Sequence, residues 1–359
     1  MTGQAMTRQD IDERLAQLTG WGRSVLLGKG HAGAADAVVT PLSGDASFRR
    51  YFRIHLPEQR FLLVDAPPPQ EDCRPFVHVA RRLQDGGLFS PEVLAVDFDQ
   101  GMMLIEDMGD TLYLERLRAA RGTGERGRVD QLYQQAFDAL VAMQLLPADD
   151  LPPYSSELLH AEMALFDNWF CEQYLQLALS DKERALLAGV RDFLASAALS
   201  QPQVFVHRDY HSRNLMVRQN NERMAPGIID FQDAVRGAYT YDLVSLLRDC
   251  YIVWPAADVH RWTAAVGEQL REAGVHNRNA SVFTRDFDLM GLQRHLKVIG
   301  IFARLNLRDG KSGYLADIPT AIRYVLQVAP AYPELADFDH WFRQAVLPLA
   351  RQRLPGFSQ

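Results

Sequence analysis

The sequence predicts an α+β chain in two lobes: a five-stranded antiparallel sheet with one helix, then a larger and mostly helical region. Three observations carry this. Short β-rich runs separated by turn residues fill the part before about residue 107, and from about residue 130 the apolar period becomes helical. The chain has 359 residues, 47% of them hydrophobic, enough for two cores. The boundaries read as 1–107 and 108–359.

Thr7 and Asp10 stand ahead of Ile11, Leu15 and Leu18 as a capping signal for a first amphipathic helix. Strands follow over 37–42, 48–56 and 61–66, separated by Ser43-Gly44-Asp45 and Pro57-Glu58-Gln59. A helix is expected over 74–85, then strands over 92–98 and 101–106 joined by Asp99-Gln100-Gly101. The polar stretch 118–129 reads as a loop. Leu132, Ala136 and Leu140 with Tyr133, Phe137 and Val141 then open a helical pattern. Further helices are expected over 155–177, 182–198, 240–253, 257–273, 281–307 and 336–352. Short β-branched runs interrupt them at 204–207, 214–218 and 227–230.

Lys plus Arg is 38 against 45 Asp plus Glu, a formal net charge of -7, so no basic nucleic-acid footprint is expected. Cys73, Cys171 and Cys250 are odd in number and far apart, which excludes a disulfide framework or paired CxxC metal site and fits a reducing cytoplasm. No apolar run approaches the roughly 18 residues that span a bilayer, so no membrane partner is expected. The lysines are Lys29, Lys182, Lys297 and Lys311, which leaves a long interval without one.

The chemistry concentrates in VFVHRDYHSRNLMV (204–217) and GIIDFQDA (227–234). Phosphoryl transfer to a hydroxyl needs a carboxylate within reach of the attacking oxygen and oxygen ligands for Mg²⁺. A kinase catalytic loop spaces its base and its metal-binding Asn as Asp209 and Asn214 are spaced here, and Asp230 stands where the second metal ligand follows on the next hairpin.

In these residues the chain resembles the aminoglycoside phosphotransferase family of small-molecule kinases, over roughly 36–345. The resemblance implies a protein-kinase-like fold using ATP and Mg²⁺, with ATP held between a sheet lobe and a helical lobe. It implies Asp209 as base, Asn214 and Asp230 as metal ligands, and His207 and Arg208 as supports of the loop. Met103–Gly109, with Glu106 and Met108, looks like the hinge that reads adenine, and Tyr241-Asp242-Leu243-Val244 like the buried aspartate after the metal loop. Ser43, Gly44, Asp45 and Ser47 would cover the phosphates. Ser43–Tyr51, Asp65–Pro68, Glu162–Trp169 and Arg294–Gly300 also resemble bacterial kinases that phosphorylate the anomeric hydroxyl of N-acetylmuramate and N-acetylglucosamine in cell-wall recycling.

One departure matters. The third-strand lysine of kinases would fall in Phe61–Asp65, which has none. Arg49, Arg50 and Arg53 are therefore expected to neutralise the phosphates together with Mg²⁺. Glu162, Phe166 and Trp169 share a helical face; the aromatics read as core, whereas Glu162 needs either a sugar hydroxyl or an arginine as partner. Arg294, Lys297, Arg304 and Arg308 fall in one sector of a helix, either as a solvated face or as cations for an acidic sugar. Other readings are a kinase for an aminoglycoside or another small hydroxylated acceptor, a nucleotide-binding pseudokinase, and a metal site on His207-x-Asp209-x-His211. That last reading leaves Asn214 and Asp230 unexplained, and His211 is expected to pack or support the loop.

Overall fold

The computed structural model describes residues 8–42, 49–218 and 225–357, with side chains from residue 13. It divides into two compact units, Met1–Thr111 with Met216–Asp233, and Leu112–Leu215 with Ala234–Gln359. Thr7, Ser43, Gly44, Asp45 and Ser47 lie outside the described residues.

In the first unit α1 (Arg8–Gly28) leads into β1 (Val38–Pro41), β2 (Arg50–His55), β3 (Arg60–Asp65), α2 (Arg74–Asp85), β4 (Val93–Asp97) and β5 (Met102–Glu106). The strands form an antiparallel sheet in the order β1-β2-β3-β5-β4. Strand alternation sends Phe52, Ile54, Phe61 and Leu63 to one face, where Leu18 and Leu26 of α1 cover them. α1 comes so close that a Cβ on Gly22 would stand 2.3 Å from a Leu63 methyl. Arg50 shares this face, lies opposite Asp65 in the register and bonds it at 2.9 Å through Nε, while Arg14 of α1 bonds the same carboxylate at 2.8 Å. Tyr51 and Arg53 point to the other face.

The second unit contains α3 (Tyr113–Gly122), α4 (Arg126–Gln144), α5 (Ser156–Leu165), α6 (Asp181–Leu199) and β6 (Gln203–Val206). Residues 207–214 lead to β7 (Leu215–Met216), where the chain enters the first unit for β8 (Gly227–Ile228). It returns through β9 (Val235–Ala238), α7 (Tyr241–Leu247), α8 (Ala256–Glu272), α9 (Ala280–Asp309), α10 (Ile318–Val328), α11 (Ala336–Trp341) and α12 (Leu347–Arg353). β6 pairs antiparallel with β9 in a short ribbon, and the 207–214 segment follows β6 directly. α9 is the central helix, 30 residues long and buried on most of its circumference.

Several expectations are corrected. Residues 118–129 are not a loop: α3 and α4 occupy most of them, parted only around Gly124, whose φ of +74° makes the turn. The polar residues there are the exposed faces of two helices. The helix expected over 240–253 stops at Leu247, because Asp249 accepts the Tyr251 N–H at 2.8 Å and turns the chain. The helix over 155–177 changes to a wider π-type winding at Phe166, where Gly300 of α9 crosses; a Cβ there would stand 2.3 Å from the Leu165 carbonyl carbon. Phe166 is core, as its spacing implied, whereas Trp169 is only half-buried.

Candidate active site

Local hydrogen bonds shape the loop after β6. Arg208 adopts φ +75°, a left-handed conformation that costs a side-chain-bearing residue about 1–3 kcal/mol and persists only where surroundings hold it. The buried Asp242 carboxylate does part of this, accepting the N–H of His207 at 2.7 Å and of Arg208 at 3.0 Å. His207 is fully buried, and its Nδ1 accepts the Asp209 N–H at 3.2 Å. The Asn214 amide donates to the Asp209 carbonyl at 3.0 Å, and Asp249 accepts the Ser212 N–H and hydroxyl.

Asp209 is the exposed member, with 45% of its side chain accessible and Arg294 at 3.6 Å. The recess pushes its carboxyl up, but Lys297 and Arg294 outweigh this and hold it down at about 2. Burial pushes in the same direction and prevails at Asp242, raised to about 7, and at Asp249, raised to about 6, against the hydrogen bonds each accepts. His211 is pushed down to about 3, mainly by burial, and its ring meets the edge of Tyr251, so it packs as expected.

Glu162, Arg294 and Lys297 gather behind this loop. Glu162 binds Arg208, Tyr154 and, at 3.0 Å, Lys297, so the partner it required is internal and cationic. Burial raises its carboxyl, but Lys297 and Arg208 bring it below the usual range. Lys297 also reaches the Tyr241 hydroxyl at 3.0 Å, and Arg294 reaches the Ser245 hydroxyl at 2.6 Å. The basic sector of α9 is thus buried at Arg294 and Lys297, half-buried at Arg304 and exposed only at Arg308. The helical spacing revealed the sector, and the packing of α5 and α7 on α9 decided which part is inside.

The first unit holds Asp230 on the turn after β8, also left-handed at φ +63°, with Gln232 donating to it at 3.0 Å. Phe231 anchors the turn against Phe76 of α2, ring centroids 4.8 Å apart. Tyr51 is pushed up to about 12 by burial; neighbouring Arg49 opposes this and Asp230 adds to it, which places the three in one neighbourhood. Arg49 is buried and pairs with Glu71 at 3.0 Å. Arg50 serves the α1 face with Asp65, and Arg53 binds Asp107 at 2.6 Å and Asp110 at 2.7 Å. Any phosphate contact by Arg50 or Arg53 would compete with those pairs. The Glu106 N–H bonds the Glu92 carbonyl at 2.8 Å, and the Met108 side chain lies against Gly227.

Among the described residues no three His, Cys, Asp or Glu side chains form a metal cluster. Asn214 in the second unit and Asp230 in the first each carry an oxygen donor of the kind a hard cation takes. No helix among the described residues is long and apolar enough to cross a membrane.

A sheet-bearing first unit, a helical second unit and the His207–Asn214 loop define a protein-kinase-like phosphotransferase. The chain belongs to the phosphotransferase enzyme family, whose model matches residues 38–278. It is 42% identical over 332 residues to the N-acetylmuramate/N-acetylglucosamine kinase of Pseudomonas aeruginosa, covering 91% of this chain and 95% of that one. The kinase of the same name in Pseudomonas putida is 42% identical over 336 residues, with the same coverage. An aminoglycoside phosphotransferase crystallised with ADP matches with a TM-score of 0.53 at 15% identity, over 80% of this chain and 92% of that chain, a likeness of fold.

Proposed function

We propose that the protein uses ATP and Mg²⁺ in the cytoplasm to phosphorylate the anomeric hydroxyl of N-acetylmuramate or N-acetylglucosamine, giving the sugar 1-phosphate. The observation that carries the reading is the 42% identity across nearly the full length of kinases bearing that name, with Asp209, Asn214 and Asp230 all present. Asp209 is the residue that meets the acceptor. Held at about 2, it is ionised throughout the working range and is a weak base. It therefore orients the hydroxyl first and takes its proton late, once the forming P–O bond has made that proton acidic. Asn214 and Asp230 would hold Mg²⁺, which supplies positive charge to the phosphoryl oxygens when bound. Arg49, anchored by Glu71 on the Asp230 side of the sheet, is the cation assigned to the phosphates in place of the missing lysine.

Cations around Asp209 favour a neutral or acidic sugar over a polycationic aminoglycoside, which would need clustered carboxylates. A panel of amino sugars and aminoglycosides with ATP, the product read by phosphorus–proton coupling, tests this. Coupling to the anomeric proton of an N-acetylated sugar is the expected result, and turnover of aminoglycosides alone refutes it. Asp209→Asn is expected to lower kcat by about 10²–10⁴-fold with little change in the KM for ATP.

A further inference from the structure

This inference rests on the role proposed above for Asp209: the geometry points to Glu162 and Lys297 as positioning residues that set Asp209 through Arg208. Arg208 immediately precedes Asp209 and sits in a backbone conformation that its own side chain disfavours. Asp242 holds its N–H, and Glu162 holds its guanidinium. The loop is thus gripped at the backbone from α7 and at the side chain from α5.

The Glu162 carboxylate makes three bonds within this grip. Its Oε1 accepts from Arg208 and from Lys297 at 3.0 Å, and its Oε2 accepts the Tyr154 hydroxyl. Glu162 is 8% and Lys297 6% exposed. The Arg208 guanidinium lies 5.4 Å from the Tyr154 ring centroid, and the Lys297 ammonium lies 5.9 Å and 5.6 Å from those of Tyr154 and Tyr241. With three bonds made and only 8% of the residue exposed, Glu162 presents little of its carboxylate to a sugar hydroxyl. Without the Glu162 charge, two buried cations would face each other with no carboxylate between them, and Arg208 would swing away. Asp209 would move with it.

Glu162→Gln preserves the shape and removes the charge. Its kcat should fall about 10²-fold, the loss that an ångström of misplacement brings, with the KM values for ATP and sugar unchanged. Arg208→Gln should fall equally, and the double variant no further, because both break one link. A raised KM for the sugar with kcat retained would make Glu162 an acceptor contact and overturn the inference. Full kcat, or losses that multiply in the double variant, would overturn it too. Melting temperature and ATP affinity by calorimetry establish that each variant is folded. Should Glu162→Gln fail to fold, Tyr154→Phe, which removes one hydroxyl from the same carboxylate, is expected to lower kcat at constant KM, and unchanged kcat there refutes the grip. An inactive Asp209→Asn beside a fully active Glu162→Gln defeats this inference alone; an active Asp209→Asn defeats the reading of Asp209 itself.

Discussion

Arg49, just before β2, and Arg50, its first residue, are neighbours in sequence with different surroundings. Arg50 completes a buried pair with Asp65, whereas Arg49 shares a neighbourhood with Tyr51 and Asp230. Arg49→Met should therefore raise the KM for ATP about tenfold, the value of one charged hydrogen bond. Arg50→Met should lower the melting temperature and leave that KM alone. Equal ATP kinetics in the two variants would contradict this division.

His295 makes a second case. It is buried against Tyr324, and burial, with help from Arg248 and Arg294, lowers it to about 3. Below the ordinary histidine value near 6.5, the unfolded chain binds a proton that the folded one refuses, so stability falls as pH drops. Between pH 7 and 5 this costs about 2 kcal/mol. Asp242 and Asp249 act oppositely, since their raised values let the folded state keep protons and recover stability as pH falls from 7 toward 4. His295→Phe keeps the ring contact and removes the titration. Its melting temperature should drop less than that of the wild type between pH 7 and pH 5, and parallel losses would count against the assignment.

α9 was legible as a long helix, but its environment was not. Its apolar residues are spread around the circumference, so periodicity could not say that Arg294 and Lys297 face inward while Arg308 stays out. The close crossing with α5 at Gly300 sets the distance between the helices that carry Lys297 and Glu162. An added methyl there meets backbone that cannot rotate aside. Gly300→Ala should cost about 1–3 kcal/mol by chemical denaturation and lower kcat as the helices part. Wild-type stability would show that the crossing relaxes freely. α10, which the sequence reading did not expect, had left a signal in Pro319 of its first turn and in Ile318, Ala321, Ile322 and Val325 at helical spacing. The early end of α7 left a local one too, in Asp249, whose carboxylate accepts the Tyr251 N–H two residues on, but the apolar period ran past it.

At the scale of the whole chain, the Mg²⁺ proposed above is tested by removing it. If Mg²⁺ arrives with the nucleotide, a chelator should abolish turnover yet leave the melting temperature of the nucleotide-free protein unchanged. A large drop would reveal a structural metal instead.

The strands of the sheet and most of the helices could be read from linear pattern, and so could the spacing of Asp209, Asn214 and Asp230 on which their proposed roles rest, since turn residues, period and spacing are local properties. What could not be read was the company each charge keeps. Arg50 turned to Asp65, Glu162 closed on Arg208 and Lys297, and the 216–233 segment joined the first unit. Those outcomes depend on which distant faces pack together, and a buried charge takes whatever partner that packing delivers.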